Sequence, residues 1–174
     1  MSIRKLLARS ASSMSTWGLR HIARRPAANM PGKIALKLDP QIIAESMGKV
    51  TEGSIVVVGT NGKTTITNMI ADALERQGKT VACNRTGANL AYGVATTLLQ
   101  TRGSVEWGVF ESDELWLAHT LPQVQASYVL LLNLFRDQLD RCGEIDRVQD
   151  AIVQALSESP DTVLLYNADD PLCA

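Results

Sequence analysis

The segment from residue 54 to residue 77 leaves this chain few folds to choose from. Residues 54–58, Ser-Ile-Val-Val-Val, are a short β-branched run of the kind that forms a buried strand. They lead into Gly59-Thr60-Asn61-Gly62-Lys63-Thr64-Thr65, and residues 63–77 then place Ile66, Met69, Ile70, Ala73 and Leu74 on one helical face. A strand, a glycine turn and a helix opening on Gly-Lys-Thr make a phosphate-binding loop. Glycine tolerates positive φ and lets the main chain approach an anion closely. The helix N-terminus aims N–H groups at that anion. Lys63 brings a charge to the β/γ-phosphates, and the Thr64 hydroxyl can ligate Mg²⁺. The longer G-x-x-x-x-G-K-[ST] pattern needs a glycine where Val57 stands, so this is the shorter variant of the loop. The expected ligand is ATP with Mg²⁺, contacted by Gly59, Thr60, Asn61, Gly62, Lys63, Thr64 and Thr65.

The strand–helix alternation continues along the chain. Residues 80–84 (TVACN), 105–110 (VEWGVF), 128–132 (YVLLL) and 162–166 (TVLLY) read as strands, and 89–100, 113–121 and 146–156 as helices. Gly78 is placed to end the first helix and Pro122 to stop the third. Val148, Ile152, Val153 and Leu156 are expected to face inward from the last. Near-continuous apolar strands between amphipathic helices predict an α/β fold with a mostly parallel, doubly wound sheet. Ligands of such sheets gather at the carboxyl ends of the strands. The polar clusters fall there, at residues 59–65, 84–89, 111–114, 133–140 and 167–170. Glu111 ends an apolar strand and is a candidate Mg²⁺ ligand. Asp113 and Glu114 read as acids at a helix start, favoured by the dipole. Arg85, Thr86 and Asn89 are candidates to face phosphate or substrate. Asn133 and Asp137 fit either a site or a capped turn, and the Asp169-Asp170-Pro171 stretch fits a turn.

Composition narrows the class. Hydrophobic residues make up 45% and charged residues 20%, ordinary for a soluble globular protein, and the net charge of -1 excludes a general polyanion binder. Cys83, Cys142 and Cys173 form no CxxC spacing, so neither a disulfide framework nor a zinc site is indicated and a reducing cytosol is the simplest compartment. No basic–aromatic interleaving points to nucleic acid, and the base-reading motif of a GTPase is missing. His21 and His119 have no partner pattern, and Trp17, Trp107 and Trp116 read as packing residues.

The charge is unevenly spread. Arg4, Lys5, Arg9, Arg20, Arg24, Arg25, Lys33 and Lys37 all precede the first acid, Asp39. Ile3, Leu6, Leu7, Ala11, Met14 and Trp17 recur at helical spacing within this acid-free stretch. A docking helix, a helix lying on a membrane surface and a targeting peptide all fit. Residues 25–40, with Pro26, Pro31 and Pro40, read as a connector. The expected division is 1–40 for basic helix and connector and 41–174 for the ATP-binding domain.

At this point the chain resembles the Mur ligase superfamily, whose phosphate loops take the form Gly-Thr-Asn-Gly-Lys-Thr-Thr. Four further segments resemble its MurT branch, the ligase subunits of lipid II isoglutaminyl synthases. They are Pro31-Gly32-Lys33-Ile34-Ala35, Phe110-Glu111-Ser112-Asp113-Glu114, Asn133-Leu134-Phe135-Arg136-Asp137-Gln138-Leu139-Asp140-Arg141 and Asn167-Ala168-Asp169-Asp170-Pro171. The resemblance implies a Mur ligase central domain and an ATP-dependent carbon–nitrogen ligase of peptidoglycan biosynthesis. ATP would phosphorylate the α-carboxyl of the D-glutamate in the lipid II stem peptide. Ammonia from a GatD-like glutamine amidotransferase subunit would then form the amide, in the cytoplasm at the inner face of the membrane. It implies Thr64, Glu111 and Asp137 as metal ligands and Asn167 as an adenine contact. Gln138 stands where many superfamily members carry a histidine that helps hold a second metal ion, which puts that ion in question. Relatives of this branch carry a four-cysteine Zn²⁺ ribbon and a C-terminal domain with the catalytic acid, so the 174 residues are expected to be a fragment or truncated product without turnover of their own. Other Mur-type ligases, such as folylpolyglutamate synthases or muramyl-peptide ligases, and a non-catalytic nucleotide-binding module are the alternatives.

Overall fold

A computed structural model describes residues 29–135 and 144–174. In chain order these form α1 (Met30–Leu38), α2 (Ile42–Met47), β1 (Val50–Val58), α3 (Lys63–Arg76), β2 (Val81–Cys83), α4 (Ala91–Gln100), β3 (Val105–Glu111), a 3₁₀ turn (Glu114–Trp116), α5 (Leu117–Val124), β4 (Tyr128–Leu131), α6 (Glu144–Ser157) and β5 (Val163–Tyr166). The strands make one five-stranded sheet in the order β2-β3-β1-β4-β5, with every pairing parallel. This is the α/β sheet predicted from the apolar runs.

Strand order decides where the helices go. The β1–β2 crossover runs one way along the sheet and the three later crossovers run the other way. Right-handed crossovers therefore put α3 on one face and α4, α5 and α6 on the opposite face. On that opposite face Val56, Val58, Phe110, Val129 and Leu131 pack with Val94, Leu98, Leu117, Leu121 and Ile152 in one core. Each fully buried side chain of this kind contributes roughly 1.5–3 kcal/mol. Register fixes the site: β1 pairs with β3 through Val57↔Glu111 and with β4 through Val58↔Leu131. The loop after β1 thus lies between the loops leaving its two neighbours.

Several local expectations change. The expected connector contains α1, which packs on α4. Pro31 lies in the first turn of α1, where the missing N–H costs nothing. Gly32 permits the contact, because a Cβ there would stand 1.9 Å from Tyr92 O. The Gly32 N–H also donates to Thr96 Oγ1 at 2.9 Å. Pro122 lies inside α5 rather than stopping it, since the burial of Leu121 and Val124 outweighs one lost helical bond, and the helix ends at Gln125 in the left-handed region. On α3 the buried residues are Thr67 and Ala71, while Met69 is 60% exposed and Ala73 is also exposed. On α6, Ile152 and Ala155 are buried and Val153 is 66% exposed. No helix among the described residues is long and apolar enough to cross a membrane.

Candidate functional site

The loop after β1 meets α3 through two glycines that only a residue without a side chain fits well. Gly59 has φ 139° and Gly62 has φ 85°, a region that costs an L-residue strain. A Cβ on Gly59 would also lie 3.0 Å from Asn133 O. Gly62 N-caps α3 without any side-chain cap. Among the described residues no protein acceptor takes the N–H groups of Gly62, Lys63, Thr64 or Thr65. An uncapped helix start with free amides is a binding site for an anion.

Both neighbouring strands hold the loop in place. From the β4 side, the Asn133 side chain accepts from Asn61 N at 2.9 Å and donates to Asn61 O at 3.0 Å. Asn133 O accepts from Thr60 N at 2.9 Å, and Thr60 Oγ1 accepts from Phe135 N at 3.0 Å. Thr60 and Asn61, expected as nucleotide contacts, therefore use these groups to shape the loop. Asp170, after β5, accepts from Leu134 N at 2.9 Å and Leu172 N at 3.0 Å. The Leu134 N–H, then the Leu172 N–H, hold its carboxyl below the usual carboxylate range.

From the β3 side come two acids. The Thr64 hydroxyl donates to Glu111 Oε2 at 2.7 Å, and Glu111 is 3% exposed. Asn84, buried at the end of β2, fixes the Glu111 backbone: its Oδ1 accepts from Glu111 N at 2.8 Å and its Nδ2 donates to Glu111 O at 2.9 Å and Ala88 O at 2.8 Å. Gly87, at φ 72°, leaves the space beside this pair open, for a Cβ there would stand 3.0 Å from Thr64 Oγ1 and 3.8 Å from Glu111 Oε2. A hydroxyl, a carboxylate and an open side suit Mg²⁺, which keeps several waters and takes few protein ligands. No cluster of three or more metal-ligating side chains exists among the described residues.

The second acid is Glu114. Asp113 caps the 3₁₀ turn through Leu115 N at 3.1 Å, as expected for a helix-start acid, but Glu114 turns the other way. Its Oε1 accepts from Gly59 N at 3.1 Å and from Lys63 Nζ at 3.0 Å. Lys63 Nζ also donates to Gly59 O at 2.5 Å.

The remaining candidates scatter. Arg85 turns away from the loop and pairs with Asp72 at 2.6 Å and Glu75 at 2.8 Å on α3, and Thr86 is exposed. Asn89 lies beside the β3 end, where its carbonyl accepts from Asp113 N at 2.7 Å. Asn167 ends β5, two strands from β1, and its Oδ1 accepts from Asp169 N at 3.2 Å in a short turn. Thr65 is exposed on the first turn of α3. Asp137 and Gln138 lie outside the described residues, as do residues 1–28 and Cys142. Asn84, Gly87 and the contact of Glu114 with the loop were missed. The only sequence signal for them was their position in the polar clusters at the ends of predicted strands.

A parallel sheet with a glycine loop leaving its central strand, free helix-start amides and a carboxylate on the adjacent strand end defines the phosphate-loop class of α/β domains. Within that class the assignment is specific: residues 57–174 match the Mur ligase middle domain, and the chain belongs to the Mur ligase family. It is 35% identical over 175 residues, 99% of its length, to a lipid II isoglutaminyl synthase (glutamine-hydrolysing) subunit MurT of Streptococcus pneumoniae, of which it covers 38%. The MurT subunit of Staphylococcus aureus strain COL is 35% identical over 91% of this chain, again with 38% of that protein covered. The chain thus spans 38% of the length of these relatives. Among solved structures, MurF ligase from Thermotoga maritima in complex with ADP superposes with TM-score 0.66 at 21% identity, covering 81% of this chain and 33% of that one. A MurF from Acinetobacter baumannii gives TM-score 0.61 at 24% identity, covering 82% of this chain and 32% of that one. These structural likenesses concern the fold.

Proposed function

We propose that this chain is the ATP-binding part of a MurT-like ligase of peptidoglycan synthesis, acting on the α-carboxyl of D-glutamate in the lipid II stem peptide. The observation that carries this reading is the 35% identity over 99% of the chain to a relative named as a lipid II isoglutaminyl synthase subunit. The site geometry supports it. The N–H groups of residues 62–65 and the Lys63 ammonium bind the nucleotide's phosphates. Thr64 and Glu111 hold Mg²⁺, with Asn84 keeping Glu111 in place and Gly87 leaving room for the ion's waters. Asp137 is a further proposed ligand. When bound, the metal screens the polyphosphate charge and polarises the terminal phosphate. Asn167 reads the adenine from the β5 end, and Asn89 faces the β3 end where an acceptor carboxylate would enter.

In the reaction, a carboxylate oxygen of the substrate attacks the terminal phosphorus, the phosphoanhydride bond breaks and ADP leaves. Ammonia then attacks the acyl carbon of the acyl phosphate. Inorganic phosphate departs, the nitrogen loses a proton and an amide remains. The domain's task is to hold the phosphates in line and neutralise charge rather than to make covalent bonds. A GatD-like glutaminase supplies the ammonia. The acid-free stretch before Asp39 gives the protein a means of staying close to anionic lipid, where lipid II resides.

The test is ATP turnover by a protein of the relatives' full length that contains this chain, with lipid II, glutamine and the candidate glutaminase, omitting one component at a time. ADP release that depends on all three supports the proposal. ADP release with a muramyl-peptide and a free amino acid, but not with lipid II and ammonia, would instead assign an amino-acid-adding ligase.

A further inference from the structure

Glu114 places a carboxylate inside a site built to attract phosphate. The same oxygen, Oε1, accepts from the loop's Gly59 N–H at 3.1 Å and from the Lys63 ammonium at 3.0 Å. Both side chains of the pair are only 13% exposed, so the contact is not a loose surface pair. An ammonium group has three N–H donors. Two are taken, by Gly59 O at 2.5 Å and by Glu114, and the nearest further acceptor among the described residues, Thr60 O, is at the limit of hydrogen bonding at 3.5 Å. Among the described residues the third N–H therefore has no good partner, and its direction is set by the other two.

We propose that Glu114 is a positioning residue for Lys63: it fixes the lysine so that one N–H points at the nucleotide's phosphate, and its charge reduces the affinity of the site. This rests on the phosphate-loop reading above. The two effects act in opposite senses. The anchor spares Lys63 the ordering that phosphate binding would otherwise demand. The negative charge lies within a few ångströms of the incoming polyphosphate and opposes it. An acid three residues beyond the strand-end Glu111 thus sets how tightly the loop grips its ligand. Looser binding of ATP also eases the release of ADP, which makes the same contacts through its remaining phosphates.

Two single substitutions separate the effects. Glu114→Gln keeps a carbonyl oxygen for both hydrogen bonds and deletes the charge. Glu114→Asp keeps the charge but shortens the arm by one methylene, so it cannot reach Gly59 N and Lys63 together. Calorimetric titration of this chain with Mg-ATP is expected to show tighter binding for Glu114→Gln, by about three- to ten-fold, the gain shrinking as salt screens the charge. Weaker binding is expected for Glu114→Asp. A purely structural role would move both variants the same way. If both shift together, or Glu114→Gln leaves the affinity unchanged, the inference is overturned. Lys63→Ala serves as the reference: loss of binding keeps the phosphate-loop reading in place whatever the Glu114 variants do. Full binding by Lys63→Ala overturns that reading and this inference with it.

Discussion

Replacing Gly87 by alanine tests the metal cradle more sharply than removing one of its ligands, because it adds only a methyl group. Gly87 sits at φ 72°, and a Cβ there would stand 3.0 Å from Thr64 Oγ1, tighter than van der Waals contact. An L-residue held in the left-handed region costs roughly 1–2 kcal/mol. In a domain of this size each kcal/mol lowers the melting midpoint by about 2–4 °C, so Gly87→Ala should melt about 2–8 °C lower. That loss alone would say nothing about function. The methyl group also pushes the Thr64 hydroxyl by a few tenths of an ångström away from Glu111 Oε2, now 2.7 Å away. It narrows the open side where the ion's waters would sit. The affinity for ATP in the presence of Mg²⁺ should fall by about ten-fold or more, while affinity in excess chelator changes little, since the amides of residues 62–65 are untouched. Differential scanning fluorimetry and calorimetric titration, with and without Mg²⁺, read the two effects separately. A variant that shows the stability loss but keeps its full Mg²⁺-dependent gain in affinity would refute the assignment of Thr64 and Glu111 to the metal.

Three further outcomes follow from the same geometry. Asn84→Ala removes three hydrogen bonds of a buried amide and leaves Glu111 N, Glu111 O and Ala88 O without it; at roughly 1 kcal/mol per bond the urea midpoint should fall by an amount equivalent to about 2–4 kcal/mol. Asp170 has its folded pKa depressed below the ordinary 3.8, so its contribution to stability is complete above that value and is lost as pH falls through the folded pKa. Asp170→Asn should remove that part of the acid sensitivity in denaturation curves recorded from pH 5 to pH 2. Burial pushes the Cys83 thiol up to about 11, so alkylation of Cys83 at pH 8, followed by peptide mass spectrometry, should be far slower than in the urea-unfolded chain.

The fold was legible where apolar residues run continuously. Residues 55–58, 128–131 and 163–166 could only be strands, and the glycine loop fixed where α3 begins. The register that sets Glu111 beside Val57 was not needed to suspect Glu111, since an acid ending an apolar strand stands out by itself. The misreadings share a cause, which is that local pattern was asked to report on distant partners. Prolines 26, 31 and 40 suggested a connector, yet α1 exists because Gly32 lets it press against Tyr92 and Thr96, some sixty residues later. Counting apolar residues put Met69 inside, but α3 turns Thr67 and Ala71 toward β1, β2 and β3. Asn84 and Glu114 carry ordinary side chains whose importance lies in partners 27 to 55 residues away. No spacing rule along the chain exposes such a pairing.

The double bracing of residues 59–61 has a thermodynamic consequence. Asn133 grips this segment from one flank and Glu114 from the other before any ligand arrives. Capture then requires little freezing of backbone motion, so the entropic penalty should be small and the on-rate fast. Among the described residues, the shape and charge of the socket are thus set before a guest arrives.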